Sequence, residues 1–219
     1  MTSAFTLVIG NRNYSSWSLR GFLAACAAGV PFHEVLVRLS EPGSKQDLLK
    51  HSPAGKVPVL KHGERTIWDS LAIIEYLAEI RPDAGLWPAD PAARAHARSI
   101  SAEMHAGFQA LRAHMPMNLR KSLPGKGRGR DVAEDIERIC AIWAHCRTHC
   151  GADGPFLFGH FTAADAMYTP VATRFRTYAV ELDDICQDYA DAVLGRPDFL
   201  AWHEAALEEP WVIAEDEVT

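Results

Sequence analysis

Two short stretches of the chain carry residue types suited to holding a peptide-like ligand. In the first, Lys56 and Val57 precede Pro58 within an apolar, strand-like run. Because proline lacks an N–H and sits at strand edges, the backbone groups of its neighbours are left to pair with a ligand. In the second, Asp69 and Ser70 stand where a helix should begin, and helix N-termini attract carboxylates. The two stretches together predict a site for a small anionic peptide.

The composition and net charge of the chain indicate what kind of protein it is and which partners are excluded. With 219 residues, 48% hydrophobic and 23% charged, it is an ordinary globular protein that can bury a substantial core. The net charge of −6 argues against nucleic acid as a partner. We expect no signal peptide and no membrane contact, since no apolar stretch approaches the length of a span. Five cysteines without a compact framework indicate reduced thiols and a cytoplasmic location.

Strand-like and helical patterns alternate in the first third of the chain. Predicted strands cover residues 5–9, 33–39, 57–60 and 65–68, and predicted helices cover 19–29 and 70–80. The last two strands flank a His-Gly-Glu turn and should form a hairpin. A βαβ unit followed by a ββα unit therefore makes up an α/β domain over residues 1–81.

A proline-rich segment, residues 82–91, separates this domain from a chain that is almost wholly helical, residues 92–219. We expect a long helix from Pro91 through Arg120 with a kink at Pro116. Further predicted helices cover residues 131–150, 163–179, 183–194 and 197–208. The sequence thus predicts two domains, one α/β and one all-α, joined by a linker.

Three landmarks in this order resemble the cytosolic glutathione S-transferase superfamily over essentially the full length. They are the Asn-Tyr-Ser-Ser-Trp-Ser-Leu-Arg segment at residues 13–20, the Val57–Pro58 and Asp69–Ser70 pairs, and the segment 159–165. The resemblance implies a thioredoxin-like N-terminal domain and an all-helical C-terminal domain. The serine run looks most like the zeta class and its bacterial relatives, but the cysteine of the zeta motif is replaced by Trp17.

The resemblance implies that Ser15 is the catalytic residue and that glutathione is the co-substrate, with no metal or prosthetic group. A hydroxyl at the start of a helix can donate to a sulfur and favour ionisation of a thiol whose free pKa is about 8.5. Ser16 and Tyr14 are rival candidates for the contact with the sulfur. The structural alternative is that the serines only cap the helix.

The other glutathione contacts follow from the same resemblance. Pro58 resembles the cis-proline of thioredoxin-like folds, and Val57 should pair its backbone with the cysteinyl part of the peptide. Ser70 should hold the γ-glutamyl carboxylate, Asp69 the ammonium group and Lys56 the glycine carboxylate. The alternatives are an edge-strand proline, an ordinary helix start and a solvated surface lysine.

A pocket for a hydrophobic electrophile is predicted near the first helix of the second domain. Met104, Phe108 and Met115 suit its walls, because methionine and phenylalanine fit varied shapes, although core packing is the favoured alternative for each. Trp211 could fold over this pocket. We predict no metal site at the histidines and cysteines of residues 145–150, since four ligands on one helix cannot converge tetrahedrally.

The predicted function is that of a glutathione transferase, which activates the thiol for attack on a hydrophobic electrophile, as in detoxification. Glutathione-dependent cis–trans isomerisation, like that of maleylacetoacetate isomerase, is an alternative, and a non-catalytic ligand-binding protein is another. A protein-thiol oxidoreductase is disfavoured, because no cysteine stands at the head of the first helix. The resemblance also implies a homodimer.

Overall fold

The computed structural model describes residues 4–151 and 154–218. In its N-terminal part, four strands form one mixed sheet in the order β2-β1-β3-β4, with β1 parallel to β2 and antiparallel to β3. The strands are β1 Phe5–Ile9, β2 Phe32–Leu36, β3 Val59–His62 and β4 Arg65–Ile67, and the helices are α1 Ser16–Ala27, α2 Ser44–Leu49 and α3 Ser70–Ile80. The α/β pattern and the β3–β4 hairpin are confirmed, and α3 has the predicted bounds.

The central strand β1 is buried on both faces, so hydrophobic side chains pack on each side of the sheet. Leu7 and Ile9 pack into the main core with α1 and α3, whereas Val8 joins a smaller cluster with Val59 on the opposite face. Helix α1 crosses close to Pro58, since a Cβ at Gly21 would lie 3.1 Å from the proline ring. The absence of a side chain at Gly21 therefore lets the start of α1 and the segment before β3 meet.

The second part is helical and is organised around one buried helix. Its helices are α4 Pro91–Ala106, α5 Gln109–His114, α6 Arg130–His149, α7 Ala163–Thr177, α8 Asp184–Leu194 and α9 Pro197–Leu207. Helix α7 is buried along most of its length and packs on α1, α4 and α8. It begins with the predicted capping box, in which Asp165 Oδ2 accepts a hydrogen bond from the Thr162 N–H at 2.7 Å. Among the described helices, none is long and apolar enough to cross a membrane.

The prediction of one helix from Pro91 to Arg120, kinked at Pro116, was wrong. Helix α4 ends at Ala106, and Phe108 adopts a left-handed conformation with φ of 58° before the short helix α5. Gly107 permits the break, because a Cβ there would lie 2.7 Å from the Glu103 carbonyl oxygen. The Arg112 side chain donates to the Gly107, Met104 and His105 carbonyls and so satisfies the acceptors at the end of α4.

The segment after α9 returns to the loop between β1 and α1. Glu209 is buried and accepts hydrogen bonds from the backbone N–H groups of Arg12 and Asn13, at 2.9 and 3.3 Å. Further along, Glu217 accepts a hydrogen bond of 2.6 Å from the Tyr14 hydroxyl. The end of the chain thus covers the loop that leads into α1.

Candidate functional site

A cavity of about 400 Å³ lies between the start of α1, the segment before β3 and the helices α5 and α7. Its polar and charged lining residues are Tyr14, Ser15, Ser16, Lys56, Arg112, Arg174 and Asp216. The volume is within the range of small-molecule sites. The cavity therefore brings the predicted serine segment together with Lys56 and Val57, and adds two arginines and an aspartate that the sequence analysis did not single out.

Ser15 and Ser16 stand at the N-terminus of α1 and both line this cavity. Ser15 caps the helix, since its Oγ accepts a hydrogen bond of 3.2 Å from the Ser18 N–H. The hydroxyls of Ser15 and Ser18 lie 2.7 Å apart, and Ser18 Oγ also accepts from the Gly10 N–H at 3.0 Å. The Ser15 hydroxyl donates to Ser18 Oγ, but a hydroxyl proton can rotate, so an acceptor placed in the cavity can receive it instead. Capping and ligand binding are thus compatible at Ser15.

Tyr14 lines the same cavity, but its hydroxyl is already engaged. It donates to Glu217 at 2.6 Å and accepts from Arg120 Nη2 at 3.0 Å. Burial, followed by the hydrogen bond to Glu217, raises the pKa of Tyr14. The phenol proton is therefore committed to the C-terminal segment.

The Val57–Pro58 peptide bond is cis, and so is Trp68–Asp69. Val57 and Lys56 line the cavity, with Val57 partly buried and Lys56 exposed. Val57 lies just before β3, and residues 56–58 form part of no strand. This segment accordingly faces the cavity with backbone groups that no sheet ladder uses.

Asp69 and Ser70 begin α3 and lie beyond the lining of the cavity. Asp69 caps the helix through a hydrogen bond of 3.1 Å from the Leu71 N–H, and its other oxygen lies 3.2 Å from His105 Nε2 of α4. Ser70 is fully buried, yet its Oγ has no hydrogen-bond partner among the described residues. Buried hydroxyls are nearly always paired, so the Ser70 hydroxyl has hydrogen-bonding capacity that the described protein does not use.

Trp17 occupies the cavity wall at the position where the zeta motif has cysteine. The guanidinium carbons of Arg20 and Arg112 lie 4.5 and 4.9 Å from the centroid of its indole ring. Arg20 is fully buried, and Nη1 and Nη2 have no hydrogen-bond partner among the described residues. Burial, followed by repulsion from Arg112 and Arg174, lowers the pKa of Arg20 well below its ordinary value. The site is therefore rich in positive charge.

Arg174 is the second guanidinium that reaches the cavity, from the buried helix α7. It donates from Nε to the Met115 carbonyl at 2.8 Å, from Nη1 to the Pro170 carbonyl at 2.9 Å, and from Nη2 to Ser16 Oγ at 3.4 Å. Burial, followed by repulsion from Arg112, lowers the pKa of Arg174 to about 10. The sequence gives no signal for this role, because arginines on a helix are usually solvated.

The residues predicted for an electrophile pocket do not line the cavity. Met104, Phe108 and Met115 are buried in the main hydrophobic core, which corresponds to the alternative that the sequence analysis favoured. Trp211 lies in the C-terminal segment, where its carbonyl accepts from Arg120 at 2.7 Å and its ring stacks against Arg38. The residue of that segment that reaches the cavity is Asp216.

No group of three or more metal-ligating side chains occurs within residues 4–151 and 154–218. The sulfur of Cys146 lies 3.5 Å from His96 Nε2, and the rings of His145 and His149 stack at 4.6 Å. Burial raises the pKa of Cys146 to about 12, so this thiol is a poor thiolate ligand. These side chains pack α4 against α6.

Two family models match the chain in the order of its two domains. Residues 14–80 match the glutathione S-transferase N-terminal domain, and residues 129–205 match the glutathione S-transferase C-terminal domain. The chain is also 40% identical over 178 residues to a maleylacetoacetate isomerase of Rhizobium meliloti, a match that covers 77% of this chain and 81% of that protein. The protein belongs to the glutathione S-transferase family.

Other relatives match over shorter stretches or in fold alone. A probable maleylacetoacetate isomerase of Caenorhabditis elegans is 41% identical over 100 residues, 46% of each chain. The chain thus spans about half the length of the first curated relatives that it matches. Among solved structures, a glutathione transferase homologue from Burkholderia gl BGR1 with bound glutathione has a TM-score of 0.71 at 22% identity, covering 93% of this chain and 97% of that chain.

Proposed function

We propose that this protein is a glutathione transferase in which Ser15 helps to ionise the thiol of bound glutathione. The main support for this proposal is the position of the Ser15 hydroxyl at the N-terminus of α1, on the wall of a cavity that Val57 also lines. The helix N-terminus and the hydroxyl both favour an anion at this point. The thiolate is the attacking form of the sulfur, so a lower thiol pKa increases its concentration at neutral pH.

Glutathione is proposed to lie across the start of α1 and α3. Its cysteinyl backbone pairs with Val57, while its glycine carboxylate approaches Lys56. The unpartnered Ser70 hydroxyl receives the γ-glutamyl carboxylate at the N-terminus of α3, and Asp69 attracts the neighbouring ammonium. Of the rivals to Ser15, Tyr14 has its proton committed to Glu217, whereas Ser16 remains a candidate for the sulfur contact.

The proposed chemistry is attack by the thiolate on a hydrophobic electrophile. A second candidate is reversible thiolate addition that catalyses cis–trans isomerisation, which the 40% identity to the Rhizobium meliloti maleylacetoacetate isomerase favours. Trp17 in place of the motif's cysteine means that the isomerisation would proceed without a protein thiol at that position. Both reactions need the same activated glutathione.

The setting is proposed to be a cytoplasmic homodimer. The five cysteines, all within the described residues, are free thiols, as expected in a reducing compartment. The dimer rests on the resemblance to the superfamily, and light scattering of the purified protein would measure its mass directly.

Calorimetry with glutathione tests the proposal. We expect saturable binding at micromolar to millimolar concentration, weaker binding of the analogue in which alanine replaces the cysteine, and turnover with a panel of haloarenes, epoxides and maleyl compounds. Binding without any turnover would favour a non-catalytic ligand-binding protein. No measurable binding would rule out both candidate reactions.

A further inference from the structure

Two guanidinium groups, those of Arg112 and Arg174, line the cavity without forming an ion pair in the described part of the chain. In the described part of the chain, no carboxylate oxygen lies within 4.0 Å of Arg112 or Arg174. Their hydrogen bonds go to backbone carbonyls and to the hydroxyl of Ser16, which carry no net charge. Arg174 is buried and Arg112 is partly buried, and a charge removed from water is normally paired, so the two cations are suited to an anion that arrives with the ligand.

We propose that Arg174 and Arg112 supply the positive charge that keeps the sulfur of bound glutathione ionised at neutral pH. This inference rests on the proposed function and assigns to it a source of thiol activation beyond the Ser15 hydroxyl. The thiol proton leaves to solvent, and the two arginines remain protonated throughout. Arg174 acts on the sulfur through its charge and through Ser16, whereas Arg112 acts through its charge alone. Neither side chain touches the sulfur, so both are positioning residues.

The geometry places Arg174 within range of the sulfur. Its Nη2 donates to Ser16 Oγ at 3.4 Å, and Ser16 stands beside Ser15 on the cavity wall. A sulfur that accepts a hydrogen bond from Ser16 would lie within about 7 Å of the guanidinium. Because Ser16 accepts from Arg174, its own proton is free to be donated to that sulfur. At this distance, in a partly buried site, a single charge shifts a pKa by about one unit.

Other titratable groups surround the two arginines. Tyr14, Lys56 and Asp216 line the cavity with the two arginines, Tyr178 and Asp216 act electrostatically on Arg174, and Asp135 acts on Arg112. Arg20 lies outside the lining and is repelled by Arg112 and Arg174. Asp216 is the one carboxylate among the lining residues, and burial raises its pKa. The net charge of the residues that line the cavity is therefore positive, which favours a thiolate.

The test is a titration of the thiol of bound glutathione, followed by the ultraviolet absorbance of the thiolate. We expect Arg174→Met to raise the thiol pKa by about one unit, and Arg174→Lys, which keeps the charge, to restore most of the shift. Arg176→Met is the matched control, since Arg176 belongs to the same helix but stacks on Phe199, outside the cavity lining. The control should leave the thiol pKa unchanged.

Arg174→Met leaves the Met115 and Pro170 carbonyls without their donor and could therefore misfold. A second variant, which does not disturb these hydrogen bonds, keeps the proposal testable in that case. Asp216→Asn removes the cavity's carboxylate, and the Asp216 carboxylate makes no hydrogen bond within the described residues. We expect it to lower the thiol pKa by a few tenths of a unit. Opposite shifts in the two variants would establish an electrostatic origin.

Several outcomes would overturn the inference while leaving the proposed function intact. One is glutathione binding with a thiol pKa that neither Arg174→Met nor Asp216→Asn changes. Another is an unchanged thiol pKa with a KM that rises in Arg174→Met only for carboxylated electrophiles, which would assign Arg174 to the second substrate. Absence of glutathione binding to the wild-type protein would instead defeat the proposed function itself.

Discussion

The hydroxyl of Tyr14 lies 2.6 Å from Oε1 of Glu217, so the loop that leads into α1 is joined to the C-terminal segment. Glu217 also accepts from Asn118 Nδ2 at 2.9 Å and lies 3.4 Å from Lys121 Nζ. Its neighbour Asp216 lines the cavity. The contact therefore couples the position of the C-terminal segment to access to the site.

Replacing Glu217 by Gln should loosen this segment. We expect the free energy of unfolding to fall by about 1 kcal/mol, the ordinary contribution of such a hydrogen bond. Hydrogen exchange of the C-terminal peptide should become faster, as measured by mass spectrometry. Glu215→Gln is the control, because Glu215 is an exposed neighbour. Equal exchange in both variants would show that the Tyr14 contact does not hold the segment.

The same contact should weaken at acid pH. Burial raises the pKa of Glu217, but the hydrogen bonds from Tyr14, Asn118 and Lys121 outweigh it and lower the pKa below its ordinary value of 4.5. The stabilisation is therefore complete above pH 4.5 and is lost as the pH falls through the lower folded value. Peptide exchange measured down this range should accelerate in the wild type, and Glu217→Gln should flatten the response.

Ser15→Ala should reduce conjugation by about 100-fold, the loss typical of removing one donor to a developing or bound anion. Glutathione should still bind, since the other proposed contacts remain. The variant also loses a helix cap, which costs about 1 kcal/mol of stability. Asp90→Ala, which removes the cap of α4, is the matched control for that loss. If the two variants had the same turnover, Ser15 would be a capping residue only.

Ser70→Ala separates ligand binding from structure. Because the Ser70 hydroxyl has no partner in the described protein, its removal should leave the free energy of unfolding unchanged or slightly higher. We expect the Kd for glutathione to rise about tenfold, which corresponds to about 1.4 kcal/mol. Binding of cysteinylglycine, which lacks the γ-glutamyl group, should not change. A variant that loses stability and keeps its affinity would contradict the proposed role.

The capping box at α7 should contribute to stability alone. Asp165 is fully buried and accepts hydrogen bonds from Thr162 N and Oγ1 and from Leu157 N. We expect Asp165→Ala to lower the free energy of unfolding by about 3 kcal/mol, because it leaves buried donors unpaired. Asp183→Ala, at the cap of α8, should cost about 1 kcal/mol. Urea unfolding of both variants would reveal whether the two losses differ.

The α/β half of the fold was readable from sequence because its signals are local. Helix α3 has the predicted bounds since Asp69 and the apolar spacing after it are sufficient to define the element. The break between α4 and α5 was missed, because Gly107 and Phe108 lie in a pattern that reads as helical. Only the folded chain shows that Arg112 satisfies the carbonyls that the break leaves free.

Part of the site could be predicted from the sequence, because some of its residues belong to local motifs. Ser15, Val57 and Lys56 belong to short motifs beside turns, and the structure brings them to one cavity. Arg174 comes from a helix far along the chain, and no local pattern distinguishes a buried arginine from a solvated one. Met104, Phe108 and Met115 illustrate the converse, since residues suited to a pocket are equally suited to a core.

The measurement that bears most directly on thiol activation is the pKa of glutathione bound to the wild-type protein and to Ser15→Ala. We expect the wild-type complex to ionise at least about one unit below the free thiol value of about 8.5, because the helix N-terminus, the Ser15 hydroxyl and the two arginines all favour the anion. Ser15→Ala should move the value back toward that of the free thiol. A bound thiol that titrates as it does in water, in both proteins, would contradict the assignment of Ser15.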